Sequence, residues 1–325
     1  MKKLIICMLL LSVFKGYAQE LNLPVFTQYL ADNNFVVSPT FAGIGDNIKI
    51  RANGLTQWVG IKGAPDNQSI YGDARISDHS GVGASFYNDR NGNTIQTGMK
   101  FSFAHHLTLD YYTEQYLSFG ISYNINNFRI DINNFDNGYA NPSIDAFVTD
   151  DRRTSNNNFD IGALYRNKGY FLSFNVNNLL EKDIDEAIRV QEPSLLLNYQ
   201  IYTGYTFSGP KKSGLEFEPS IFYQLFNSDK RSSTDLNFKV RKYNRKEDYL
   251  WAGISYRFLN DQFLKPLNIG PMVGFQKSIF YFGYAYQITT NELSAYNSGT
   301  HVVTIGLNFL QGLSGCPCTQ GAVHK

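Results

Sequence analysis

The chain has 325 residues, with 29 Lys and Arg against 28 Asp and Glu and a formal net charge of +1. That balance lacks the basic excess of a nucleic-acid binder, and 15% aromatic with only 18% charged residues excludes a disordered chain. Beyond the N-terminus no apolar run reaches the ~18 residues a helical span needs, so only strands remain available for crossing a bilayer.

The N-terminus is the clearest local signal. Lys2 and Lys3 precede an apolar run from Leu4 to Phe14, and Gly16-Tyr17-Ala18 supplies small residues ahead of a cleavage point. Residues 1–18 read as a secretory signal peptide; the run is too short to span a bilayer. Cys7 lies within this run with no small-residue lipobox before it. Cleavage removes Lys2, Lys3 and Lys15, so the 29 basic residues fall to 26 against 28 acidic ones, a net charge of −2. Of three cysteines only Cys316 and Cys318 remain, so no disulfide framework staples the body of the fold.

The mature chain alternates with a period of two. Leu117, Phe119, Ile121, Tyr123 and Ile125 share one face against Ser118, Gly120, Ser122, Asn124 and Asn126. The same dyad sets Met99, Phe101 and Phe103 against Lys100 and Ser102, Leu172, Phe174 and Val176 against Ser173 and Asn175, and Val303, Ile305 and Leu307 against Thr304 and Gly306. A soluble sandwich shares such alternation. Its solvent face would carry dense charge, whereas here the second face is Gly, Ser, Asn and Thr with lone charges such as Arg51, Asp73, Lys100, Asp160, Arg166 and Arg257. A water-filled or plugged lumen fits that face better.

Fourteen segments follow in order: 46–57, 67–76, 81–88, 94–106, 115–128, 158–167, 169–178, 195–207, 215–227, 232–241, 248–258, 266–276, 278–289 and 300–309. Their number is even and their lengths suit a tilted crossing. The connections at 77–80, 167–169 and 276–277 are tight, while those at 129–157, 179–194 and 290–299 are long and fall on the opposite side. The expected fold is therefore all-β: a transmembrane up-and-down antiparallel β-barrel of about 14 strands, of outer-membrane type, with the long loops outside the cell. Residues 19–45 read as a periplasmic N-terminal segment, 46–309 as the barrel and 310–325 as a periplasmic tail. The connections at 228–231 and 242–247 obey the contrast poorly and leave the strand count least constrained there.

Chemistry-bearing constellations are few. Cys316-Pro317-Cys318 has no further Cys near it and only His324 in the same tail, and the Cys-x-Cys spacing is weak as a metal site. His105 and His106 are adjacent and so face opposite sides of a strand, and His79 lies in a tight turn. A barrel hydrolase would need one of the histidines held beside a nucleophile by a third group. No phosphate-binding glycine loop opens a helix. The expectation is a non-enzyme with no cofactor and no resident metal.

Several segments resemble the PorP/SprF family of outer-membrane proteins of the type IX secretion system. Ser38-Pro39-Thr40-Phe41-Ala42-Gly43 is similar to the family's Asn-Pro-Ala-Tyr-Ala-Gly, and Gln57-Trp58-Val59-Gly60-Ile61-Lys62-Gly63-Ala64-Pro65 to its Gln-Trp-x-Gly-x-x-Gly-x-Pro. Gly81-Val82-Gly83-Ala84-Ser85, followed by Asn88-Asp89 and Gly92, resembles its third landmark; Gly283-Tyr284-Ala285-Tyr286 and Gly299-Thr300-His301 resemble its last two strands. Ser38, Thr40, Thr56 and Val302 depart from the pattern. The resemblance implies a non-enzymatic outer-membrane barrel that assists secretion or surface anchoring of a large secreted, adhesin-like protein, engaged through that protein's C-terminal region, together with other secretion components and, in some members, gliding motility.

Gln57, Trp58, Asn88 and Asp89 fall at the outer ends of neighbouring hairpins and are candidate partner-binding residues. The plainer reading makes Trp58 part of an aromatic belt and the adjoining glycines turn residues. Phe135, Tyr139 and Phe147 in the first long loop are further candidates as apolar anchors in a polar rim, or as parts of a loop that shields the mouth. The competing function is an outer-membrane channel or transporter for hydrophobic or small solutes.

Overall fold

A computed structural model describes residues 33–45, 47–57, 59–60, 64–130, 153–181, 196–209, 213–244, 248–290, 298–310 and 316–319. Its strands are β1 Asn47–Thr56, β2 Asp66–Ser77, β3 Ser80–Asn91, β4 Thr94–Asp110, β5 Gln115–Ile130, β6 Arg153–Asn167 and β7 Tyr170–Asn177. After them come β8 (Asn198–Tyr205, resumed after Thr206 as Phe207–Ser208), β9 Leu215–Phe226, β10 Ser232–Tyr243, β11 Tyr249–Leu259, β12 Pro266–Lys277, β13 Phe280–Thr289 and β14 Thr300–Leu310. Each strand pairs antiparallel with its sequence neighbour, and β1 pairs with β14 from Asn47↔Leu310 to Thr56↔His301. The sheet is thus a closed 14-stranded barrel with no exposed edge, which is what lets a sheet satisfy its backbone in lipid.

The two faces divide as the dyad requires. Phe101, Phe103, Phe119, Ile121, Phe174 and Ile305 are exposed on the outside, where lipid replaces water, while Ser102, Ser118, Ser122, Asn175 and Thr304 are buried on the inside. The turns at 78–79, 168–169 and 278–279 lie at one end, the periplasmic end in barrels of this class. Both doubtful connections join strands that pair with each other: Leu225↔Ser232 flanks one and Tyr243↔Tyr249 the other.

Arg51 stitches the seam where first and last strands meet. Its guanidinium donates to Asn308 Oδ1 at 2.7 Å and lies 4.1 Å from the centre of the Tyr281 ring. A charge inside the wall is tolerable because it is hydrogen-bonded and stacked over an aromatic face.

Candidate functional site

The lumen is occupied by the protein's own N-terminal stretch. Asn33 to Gly45 fold into two short 3-10 turns, Asn34–Val36 and Pro39–Phe41, each capped by the side chain before it. Asn33 Oδ1 accepts from the Phe35 amide and Ser38 Oγ from the Thr40 amide, the local reason the chain turns twice in so few residues. Phe35, Val37, Phe41 and Ala42 are all buried. Phe41 packs among the inward rings of Phe171 and Tyr202, 6.2 Å from each.

Polar side chains of the wall fix this plug. Asp73 on β2 accepts from Asn33 Nδ2 at 3.1 Å and from the Gly43 amide at 2.8 Å. Two residues along, Arg75 donates to the Gly45 carbonyl at 2.6 Å. Ser38 donates to Asn175 on β7 at 2.5 Å. On β4, His106 is fully buried; its Nε2 meets the Ala42 carbonyl at 2.9 Å and its Nδ1 the Ser118 hydroxyl at 2.8 Å. A carbonyl can only accept, so neutral His106 carries its proton on Nε2 and takes the Ser118 hydroxyl on Nδ1. One ring nitrogen thereby holds the plug and the other the β5 wall, so His106 ties the two together.

The wall is shaped to receive the plug. A Cβ on Gly81 would lie 2.2 Å from the Ala42 carbonyl oxygen, and one on Gly83 2.3 Å from the Phe35 ring. Two segments that resemble the family, Ser38–Gly43 and Gly81–Ser85, are therefore plug and socket. The part of residues 19–45 that the structure describes, 33–45, lies inside the barrel and not beneath it, a placement that composition and periodicity did not signal.

Across the lumen, β9, β10 and β11 project charges inward. Arg241 pairs with Glu216 and, at 2.8 Å, with Glu218, which Lys239 approaches at 3.5 Å. Arg257 makes a two-pronged pair with Asp235, both bonds 2.6 Å. Forked pairing of this kind offsets much of the cost of removing the ions from water.

Above the plug, toward the long-loop end, remains a vestibule with about 180 Å³ of water-accessible space. Phe35, Val36 and Val37 line it together with Asn67, Tyr71, Asn124, Asn126, Asn198 and Gln224. Its wall charges, Lys100 and Asp160, pair at 2.7 Å.

The rim beyond the vestibule carries three of the candidate residues. Gln57 follows β1 and donates its amide to the Pro65 carbonyl at 2.9 Å. Register carries Leu55 to Asn67 and Asn67 to Asp89, whose carboxylate accepts from Asn67 Nδ2 at 3.1 Å. Gln57, Asn88 and Asp89 thus share one end of adjacent hairpins, with Asp89 on the lumen side and Asn88 on the outer side of β3. Trp58, Phe135, Tyr139 and Phe147 lie outside the described residues.

At the periplasmic end, part of the expected tail returns to the wall. Cys316 and Cys318 form a disulfide, and Thr319 accepts from Arg75 at 2.6 Å and from the Gly45 amide at 2.9 Å. Arg166 donates to the Cys318 carbonyl.

These features define an outer-membrane β-barrel with a self-plugged lumen. The chain matches the family model for type IX secretion system membrane protein PorP/SprF over residues 18–307, and it belongs to that family. No curated protein matches it. Among solved structures, the CymD monoaromatic hydrocarbon channel aligns at TM-score 0.50 and 9% identity, covering 89% of this chain and 94% of that one. Omp33 of Acinetobacter baumannii aligns at 0.44 and 7%, covering 82% and 100%. CdiB from Acinetobacter baumannii aligns at 0.40 and 8%, covering 81% of this chain; the chain spans 60% of CdiB's length. Such likenesses at low identity concern the barrel fold.

Proposed function

We propose that this chain is a non-enzymatic component of the type IX secretion apparatus that helps a large, adhesin-like protein reach or stay on the cell surface, in the service of gliding. On this reading the secreted protein is engaged through its C-terminal region, at the rim built by Gln57, Trp58, Asn88 and Asp89 and the loop bearing Phe135, Tyr139 and Phe147. The observation that carries the proposal is the plug. A conduit for solutes needs a through-path, whereas here Asn33–Gly45 lie within the lumen, hydrogen-bonded to Asp73, Arg75, His106 and Asn175. Family membership supplies the secretion context.

Two measurements test this. Purified protein in planar bilayers should give no steady current. A strain lacking the gene should lose surface display of one large type IX cargo and regain it with the wild-type copy. Steady current together with normal display of every cargo would overturn the proposal in favour of a channel for hydrophobic or small solutes.

A further inference from the structure

We infer a thiolate–imidazole metal site at the periplasmic mouth, built by His79, Cys316 and Cys318, that opens when the Cys316–Cys318 disulfide is reduced and then takes one thiophilic cation, Cu+ or Zn2+. The ligand atoms are already gathered: two sulfurs and an imidazole nitrogen lie within 4.8 Å of one another, although His79 and the cysteines are more than two hundred residues apart in sequence. His79 Nδ1 sits 3.3 Å from Cys318 Sγ. Two thiolates and one imidazole form a soft donor set that suits Cu+ with three ligands, or Zn2+ with a water in the fourth position.

The surroundings favour thiolates. The Cys318 amide points at Cys316 Sγ, 3.2 Å away, a donor that stabilises negative charge on sulfur. Arg166 and Arg75 donate to the carbonyls of Cys318 and Thr319, which holds the loop in place and adds positive potential. Cys318 is fully buried and Cys316 nearly so, while His79 is exposed and gives the cation its approach.

The opening step balances. A thiolate of a dithiol donor protein attacks Sγ of Cys316, the less buried of the two residues, and breaks the Cys316–Cys318 bond. The donor's second thiolate resolves the mixed disulfide, leaving the donor oxidised and both cysteines as thiols after uptake of two protons. Cation binding releases those two protons. His79 binds through Nδ1 with its proton on Nε2, giving up its 3.2 Å contact with the His106 carbonyl. Because Thr319 is also bonded to Gly45, a loaded site would fasten the tail to the plug.

The test uses the full mature chain in detergent, either oxidised or reduced with a phosphine and desalted under argon. Each form is titrated with Zn2+ and, separately, with Cu+, against a chromophoric chelator. We expect one equivalent of one or both cations bound by reduced protein and none by oxidised protein, with X-ray absorption showing two sulfur neighbours and one imidazole nitrogen. His79→Ala should weaken binding about tenfold or more, and Cys316→Ser should abolish it. All three residues lie outside the strands, and heat-modifiable gel mobility verifies that each variant barrel is assembled. Equal binding by reduced and oxidised protein, no binding by either, or a His79→Ala variant that binds like wild type would each overturn the inference.

Discussion

Thr40 lies directly on Gly120: a Cβ on that glycine would stand 2.6 Å from the Thr40 amide nitrogen. The wall residue is inward-facing and sits in the middle of β5, so plug and barrel touch backbone to backbone. Gly120→Leu should therefore eject the plug while leaving the strand ladder intact, since glycine contributes no side chain to the outer face. The expected outcome is an assembled, heat-modifiable barrel that conducts steadily in planar bilayers where wild type does not. A silent variant would show that the plug is not what closes the lumen.

The same contact explains what the sequence reveals and what it hides. All fourteen strands are legible because each alternates apolar and small residues across a wall with lipid on one side. Boundaries slip where that contrast fades: β4 runs on through Thr108 to Asp110, and β6 begins at Arg153, five residues before its apolar alternation does. Hydrogen-bonded ladders continue past the lipid into polar ends. The plug leaves no periodic trace, because thirteen residues in two 3-10 turns repeat nothing. Its signature lies instead in the partner surface, in Gly81, Gly83 and Gly120, whose clustering is visible only once the barrel is closed. The rim is legible by parity alone, since Gln57 and Asp89 end neighbouring hairpins, but parity cannot tell that Asp89 turns inward to Asn67.

The outer face should resist charge more than the vestibule does. Phe103, near the middle of β4, is 43% exposed on the outside, and Phe103→Arg should cost about 2 to 4 kcal/mol of barrel stability. Ser69→Arg, on the inner face beside the vestibule, should cost much less because water reaches it there. Reversible urea unfolding in lipid vesicles compares them, and equal losses would contradict the assignment of faces.

Asp235 is fully buried and paired through both oxygens with Arg257. Arg257→Met leaves that carboxylate without its forked partner, with an expected cost of about 3 to 5 kcal/mol. Adding Asp235→Leu removes the stranded charge and should recover a good part of the loss. A double-mutant cycle by urea unfolding measures the coupling, and additive single effects would mean that the pair contributes little.

The rim prediction concerns the partner. Asp89 presents a carboxylate held by Asn67, and Gln57, whose backbone amide bonds the Pro65 carbonyl, brings a second polar side chain to the same end. Fixed polar groups around apolar anchors are the composition of a protein-binding rim, in which a few contacts carry most of the energy. Gln57→Ala combined with Asp89→Ala removes two polar side chains without touching the plug, and shortening 133–150, which leaves β6 whole from Arg153, removes the loop bearing Phe135, Tyr139 and Phe147. Both variants should assemble at wild-type levels in the outer membrane yet reduce surface display of a large type IX cargo severalfold, with the loop deletion the more severe. Surface labelling of the cargo, normalised to barrel abundance, provides the measurement. Undiminished display of every cargo in both strains would remove the rim from the function and leave the partner to be sought at the periplasmic end.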